Sequence, residues 1–402
     1  VSVTARDASN NTSTAGTQTL TIDTTAPNAP AVTSAALTKN ATPIIGGTAE
    51  TGSTVTVTVG GATYTTTATN GTWSLNLATA TPTSGSLSLN ANGTNTVSAT
   101  ATDAAGNVST AGTQTLTIDT TAPNAPVVTS AALTKNVTPT LTGTAETGST
   151  VTVTVGGATY TTTATNGTWS LNLATATPTS GSLSLNANGT NPVSATATDA
   201  AGNTSSAGTQ TLTIDTTAPN APTVTTALSN STTPTLTGAA ETGSTVTVTV
   251  GGATYTTTAT NGSWSLNLAT ATPTAGSLSL NANGTNAVSA TATDVAGNIS
   301  SAGTQTLTID TTLPDAPTVT SAALSNSTTP TLTGTAEANA TVTVTIGGAT
   351  YTTTASGTGA WSVNLATATP TAGSLSLDPN GANPVAATAT DAAGNTSAPG
   401  TQ

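Results

Sequence analysis

Cysteine, histidine, methionine and phenylalanine are all absent from the 402 residues. The chain therefore has no thiol nucleophile, no imidazole base and no soft-metal ligand. Cations are nearly as scarce: three Lys or Arg stand against fifteen Asp or Glu, a formal charge of −12. Three basic residues cannot neutralise a phosphate backbone, which excludes nucleic acid as a partner. An acidic surface also disfavours anionic membranes. No run approaches ~18 apolar residues, so no direct membrane insertion is expected. The lack of cysteine fits an extracellular protein without disulfides and a cytosolic one equally. The chain opens at Val1 with neither an initiator methionine nor a signal peptide, which reads as an excised piece of something longer.

The residues that are present repeat. The string Thr-Gln-Thr-Leu-Thr-Ile-Asp ends at Asp23, Asp119, Asp215 and Asp310, at spacings of 96, 96 and 95. Every Trp and Tyr belongs to the same register: Trp73, Trp169, Trp264 and Trp361, and Tyr64, Tyr160, Tyr255 and Tyr351. A period this long exceeds the ~20–50 residues of solenoid repeats and suits a tandem array of whole domains. The expected division is residues 1–22 as the last two strands of a preceding repeat, then repeats over 23–118, 119–214, 215–309 and 310–402. The last of these lacks its final strand. Neighbouring copies are nearly identical, so recurrence of a residue says little about its importance.

Each repeat reads as all-β. Val55, Val57 and Val59 alternate with Thr, the signature of a half-buried strand. Gly60-Gly61 turns the chain, and Asn70-Gly71 is a strong hairpin signal. Trp73, Leu75 and Leu77 alternate next. Strand A is expected at Pro30–Ala36, B at Thr42–Ala49 and C at Thr54–Val59. Two further strands follow at Thr63–Thr69 and Thr72–Leu77, then F at Val97–Thr102 and G at Thr113–Ile118. A long connection, Ala78 to Asn95, carries Leu87 and Leu89. About seven strands in roughly 96 residues describe an immunoglobulin-like sandwich. The fold class is thus all-β, a tandem array of Ig-like Greek-key sandwiches. Trp73 and its copies read as core anchors rather than ligand platforms.

At the junction Asp119-Thr-Thr-Ala-Pro123-Asn-Ala-Pro126, one strand runs into the next with almost no slack, and two prolines stiffen it. This predicts an extended rod rather than freely swivelling beads. At ~40 Å per sandwich, four would span on the order of 150–170 Å. The neighbouring repeats are each other's partners. At the chain's ends, the orphan strand Thr17–Ile22 is expected to exchange with the truncated end of another molecule. Two frayed ends are the alternative.

Twelve of the fifteen acids fall at three recurrent positions. They are Asp23, Glu50 and Asp103; Asp119, Glu146 and Asp199; Asp215, Glu241 and Asp294; and Asp310, Glu337 and Asp391. Strand parity puts the B–C and F–G turns at the same end as the junction, so each trio converges there. Three carboxylates without a counter-charge repel one another. A hard divalent cation resolves this, and Ca²⁺, with 6–8 oxygen ligands, is preferred to Mg²⁺. About one ion or more per junction is expected. The alternative is that each Asp caps its own turn and each Glu is solvated. Lys39 and Lys135, near the top of the first two complete repeats, have no counterpart in the others and receive no role.

The motifs Asp-Thr-Thr-Ala-Pro, Gly-Thr-Ala-Glu-Thr-Gly-Ser and Thr-Asp-Ala-Ala-Gly-Asn resemble bacterial Ig-like repeats from the extender regions of giant type I-secreted RTX adhesins. The resemblance, which covers essentially the whole chain, implies Ca²⁺ at junctions, an extracellular place on the bacterial cell surface, and a role in holding a distal ligand-binding domain away from the cell. The leading function is therefore a calcium-stiffened spacer. An array that itself binds ice or glycan is the alternative, prompted by Thr-x-Thr runs such as Thr54–Thr58. Sandwich sheets twist, which disfavours a flat ladder. Paired carboxylates can hydrolyse glycosides, but no unit-specific cleft or extra acid supports an enzyme.

Overall fold

The computed structural model describes residues 1–402 and contains strands and turns without helices. The chain divides into two compact units. One comprises Val1–Ala132 and Asn136–Ile214, the other Leu133–Lys135 and Asp215–Gln402.

The first unit opens on a small hairpin, β1 (Ser2–Val3) against β2 (Gly16–Thr17). Pairing ends with Gln18, which exchanges backbone hydrogen bonds with Val1 at 2.8 and 2.7 Å, so the strand expected over Thr17–Ile22 is confined to its first two residues. Leu20 and Ile22 stay exposed for want of a second sheet to cover them. The first sandwich follows as β3 (Ala31–Val32), β4 (Leu37–Thr38), β5 (Ile44–Thr48), β6 (Thr54–Val59), β7 (Ala62–Thr67), β8 (Thr72–Asn76), β9 (Asn92–Thr102) and β10 (Gly112–Asp119). Its two sheets have the orders β3-β5-β8 and β4-β10-β9-β6-β7.

The expected single strand A is two short strands in different sheets. The N–H groups of Thr33 and Ser34 both reach the Gly46 carbonyl, at 2.9 and 3.1 Å. This ends the antiparallel pairing of β3 with β5, and the chain crosses over. There β4 runs parallel to β10, Leu37 opposite Thr117 and Thr38 opposite Ile118. Gly112 lets the start of β3 lie close to the start of β10, because a Cβ on it would run into the Pro30 carbonyl. Strand F also differs from expectation. It starts at Asn92, five residues early, because β10 pairs along its whole length, from Asp119 opposite Asn92 to Gly112 opposite Ala99.

Alternation otherwise places the core as expected. Val55, Val57 and Val59 on β6 face inward with Tyr64, Trp73, Leu75, Leu116 and Ile118. Leu87 and Leu89 of the long connection pack on that core, and Ser88 N–H anchors the connection to the Gly60 carbonyl at 2.8 Å. Asn70 and Gly71 take positive φ, 51° and 79°, as a two-residue hairpin turn demands. The second sandwich of this unit has its own equivalent core, from Leu141 to Ile214.

The second unit contains two further cores, Leu236–Ile309 and Leu332–Ala387. In the earlier sandwich, Leu228–Ser229 again runs parallel to Gly303–Asp310. The later one corrects an expectation, because the start of its last strand is present. Gly400–Thr401 pairs with Ala386 and Ala387. No parallel partner reaches the region of Leu324, which is 92% exposed.

Candidate functional site

The recurrent acids sit on turns that the sandwich pairing gathers at one end. In the first sandwich β6 begins at Thr54, opposite Thr102, the last residue of β9. Glu50 therefore precedes one strand, and Asp103 follows the other, at the same end. The Asn70-Gly71 hairpin lies there too, since Gly71 O accepts the Ala49 N–H at 3.1 Å. The opposite end finishes with Asp119, the last residue of β10.

At that opposite end the next repeat begins, and the bonds across it lie within the first unit. The turn Asp199-Ala-Ala-Gly-Asn203 closes on itself. Asn203 N–H donates to Asp199 Oδ1 at 2.8 Å, and Gly202 N–H to the Asp199 carbonyl at 3.2 Å. The Asn203 amide nitrogen then donates twice, to Asp199 Oδ2 at 2.8 Å and to the Asp119 carbonyl at 2.8 Å. One buried amide thus fastens the turn of one sandwich to the last strand of the sandwich before it. Asp119 Oδ1 accepts the N–H of Thr121 at 3.0 Å. Thr120 gives its N–H and hydroxyl to Asn92 Oδ1, at 2.8 and 2.9 Å. Three consecutive junction residues are therefore held, by partners on both sides.

The pattern recurs. Asn107 links Asp103 to the Asp23 carbonyl. In the second unit Asn298 links Asp294 to Asp215, and Asn395 links Asp391 to Asp310, all at 2.8 Å. Asp23, Asp215 and Asp310 each cap their own turn, accepting from Thr25, Thr217 and Thr312. These asparagines were missed in the sequence. Their signal was the fixed offset in Asp-x-x-Gly-Asn, which near-identity of the copies made uninformative.

The glutamates behave differently. Glu50, Glu146 and Glu241 contribute their carbonyls, each accepting the N–H and hydroxyl of the serine three residues on. Glu337 does so only for the Ala340 N–H at 3.1 Å. All four glutamates are exposed. The acids share an end, but no three carboxylates stand together as a cluster able to hold a metal ion. The reason is local: each Asp of the Asp-x-x-Gly-Asn turn uses both oxygens to cap that turn.

Capping also moves their acidity. The Asn107 amide holds the Asp103 carboxyl below the usual range, against some desolvation. For Asp199, Asp294 and Asp391, partial burial pushes upward. The side-chain amide and turn N–H groups outweigh it, and each carboxyl again lies below its ordinary value.

Comparison with known proteins identifies the repeats. Residues 30–120, 127–216 and 223–311 match the bacterial Ig-like domain. The chain belongs to that family. A Ca²⁺-stabilized adhesin that helps an Antarctic bacterium reach out and bind ice is 30% identical to this Ig-like array. The match covers 93% of this chain and 98% of that one, with a TM-score of 0.30. A 1.5-MDa bacterial ice-binding adhesin, studied for retention at its host's cell surface, is 26% identical over 71% of this chain and 97% of that one, with a TM-score of 0.30. No curated protein matches the Ig-like array.

Proposed function

We propose that the chain is an extender segment of a bacterial cell-surface adhesin, a non-enzymatic spacer whose product is reach. The carrying observation is the asparagine bridge, in which one amide joins the turn of each repeat to the end of the strand before it. Each bridge ties one repeat to the junction before it, which is what a spacer requires of its joints. The identity with adhesin segments over nearly their whole length supports the reading. In this role the array is extracellular and projects a distal ligand-binding domain from the cell.

We propose further that Ca²⁺ stiffens the junctions. Asp119, Glu146 and Asp199 would hold it at one junction. Asp23, Glu50 and Asp103, then Asp215, Glu241 and Asp294, and Asp310, Glu337 and Asp391 are their counterparts. The donor chemistry fits, since every side chain offered is a hard carboxylate oxygen. The ion would supply positive charge where carboxylates of neighbouring turns share an end. In the geometry described, the capping acids stand apart, so loading must draw the exposed glutamate toward the turn. Extracellular modules bind Ca²⁺ at about 10⁻⁴–10⁻³ M. Such sites would fill after export and stay empty in the cytosol.

Small-angle X-ray scattering in millimolar Ca²⁺ and in excess chelator tests this. A maximum dimension near the length of four sandwiches end to end, shortening and broadening on chelation, is the expected result. An unchanged long particle would remove calcium and keep the spacer. A compact particle in both would remove the spacer.

A further inference from the structure

Lys39 and Lys135 are the only lysines in the chain. Lys39 follows β4 directly, at the end of the first sandwich where β10 also finishes. Its ammonium donates to the carbonyl of Gly202 at 2.7 Å, across 163 residues of sequence. The aliphatic stem passes 3.8 Å from where a Cβ on Gly202 would lie. Gly202 belongs to the Asp199–Asn203 turn, the same turn that Asn203 fastens to Asp119. That turn is therefore gripped twice from the first sandwich, by the end of β10 through an amide and by the end of β4 through an ammonium. Because Thr38 lies opposite Ile118, Lys39 leaves β4 beside the strand end that carries Asp119.

The second unit contains the same bond, Lys135 Nζ to the Gly297 carbonyl at 2.6 Å. Gly297 occupies the corresponding place in the Asp294–Asn298 turn. Further along that unit the lysine is replaced. The sequence Leu37-Thr-Lys-Asn becomes Leu228-Ser-Asn-Ser. The Asn230 amide lies 3.5 Å from where a Cβ on Gly394 would be, a neutral group on a shorter stem.

We propose that Lys39 is a built-in cation for the repeat that follows it, so that this junction keeps its geometry without a divalent ion. The junction carrying Asn230 depends on the metal instead. The array would then have two classes of joint, one fixed at synthesis and one set by calcium. The second half rests on the calcium reading above; the first half does not.

The absence of cysteine makes a clean test available. Spin labels on Thr65→Cys and Thr161→Cys, exposed and equivalent positions in the first two sandwiches, report the junction that Lys39 spans. Labels on Thr256→Cys and Thr352→Cys report the Asn230 junction. Distance distributions are measured by pulsed electron paramagnetic resonance in Ca²⁺ and in chelator. In chelator the Lys39 pair should stay narrow and the Asn230 pair should broaden. Lys39→Met, which keeps the stem and removes the charge, should broaden the first pair in chelator, and Lys39→Arg should keep it narrow. Asn230→Lys should narrow the second. An unchanged width for Lys39→Met in chelator overturns the latch. Equal broadening of both pairs in the parent chain on chelation also overturns it, and leaves the calcium reading standing. If Lys39→Met broadens its pair while neither parent pair responds to chelation, the latch holds and the calcium reading fails.

Discussion

At the scale of single residues, the junction is held by an amide that looked ordinary in the sequence. Asn203 donates to an acid in its own turn and to a carbonyl in the preceding repeat. Asn203→Ala removes both bonds and strands the Asp119 carbonyl in a crowded place. A loss of about 1–3 kcal/mol is expected for a buried group left unpaired. Amide hydrogen exchange should accelerate at Thr120 and Thr121 and remain as before inside the Leu141–Ile214 core; protection unchanged at both threonines would contradict the bridge. The capped aspartates make a second prediction, with its sign fixed by linkage. Folded Asp103, Asp199, Asp294 and Asp391 all lie below the ordinary carboxylate value, because amide and turn N–H groups hold them ionised. Their contribution is fully present above the unfolded pKa of about 3.9 and disappears as pH falls through the lower folded values. Melting temperature measured without divalent ions should be flat from pH 7 to about 5 and fall below about 4. A midpoint that rises on acidification would show that repulsion among the acids dominates capping.

At the scale of elements, legibility followed alternation. Strand C was read at its observed bounds, Thr54–Val59, because three valines fix its inward face and Gly60-Gly61 ends it. Strand A was misread because β3 and β4 are two residues each, too short for any period to show, and because only tertiary pairing reveals the sheet switch. The early start of β9 was hidden by Asn92-Gly93, a turn-like pair that β10 nevertheless draws into the ladder. The site was legible to the same degree. Parity placed the acids at one end, whereas the capping that separates them depends on amide geometry that composition does not record. The tryptophans carry a prediction at this scale. Trp73, Trp169 and Trp361 bury an indole N–H without a partner, while Trp264 donates to the Thr223 carbonyl at 3.1 Å. Replacing each by Phe creates a similar void. Only Trp264→Phe also loses a hydrogen bond, so it should cost about 1 kcal/mol more than Trp73→Phe. Equal losses in urea denaturation would mean that the bond is not formed in solution.

At the scale of the whole chain, the last repeat differs from the others in a way that the segment after the opening hairpin can remedy. Leu116 and Ile118 of β10 are almost fully buried in the first sandwich, and Leu212, Ile214, Leu307 and Ile309 repeat this in the next two. In the last, the strand reaches only Gln402, which exchanges backbone hydrogen bonds with Val385 at 2.9 and 3.0 Å, leaving an apolar groove lined by Leu324, Leu332, Ile346, Leu377 and Val385. The segment that follows Thr-Gln in the other repeats reads Thr-Leu-Thr-Ile-Asp, and Thr19–Asp23 has that sequence. There Leu20 and Ile22 are 68% and 79% exposed. Groove and strand thus match in sequence, and each leaves apolar surface in water. Burying a Leu and an Ile contributes about 1.5–3 kcal/mol each, offset by the cost of association. We expect weak head-to-tail association that strengthens with concentration, seen as rising mass in light scattering. A free peptide of the Thr19–Asp23 sequence should cap the groove, suppress the association and raise the unfolding temperature of the last repeat. Leu20→Asp should abolish association without altering the peptide's effect, because it damages the donor strand and leaves the groove intact. A constant monomer mass together with no thermal shift on adding peptide would show that the groove closes on its own side chains.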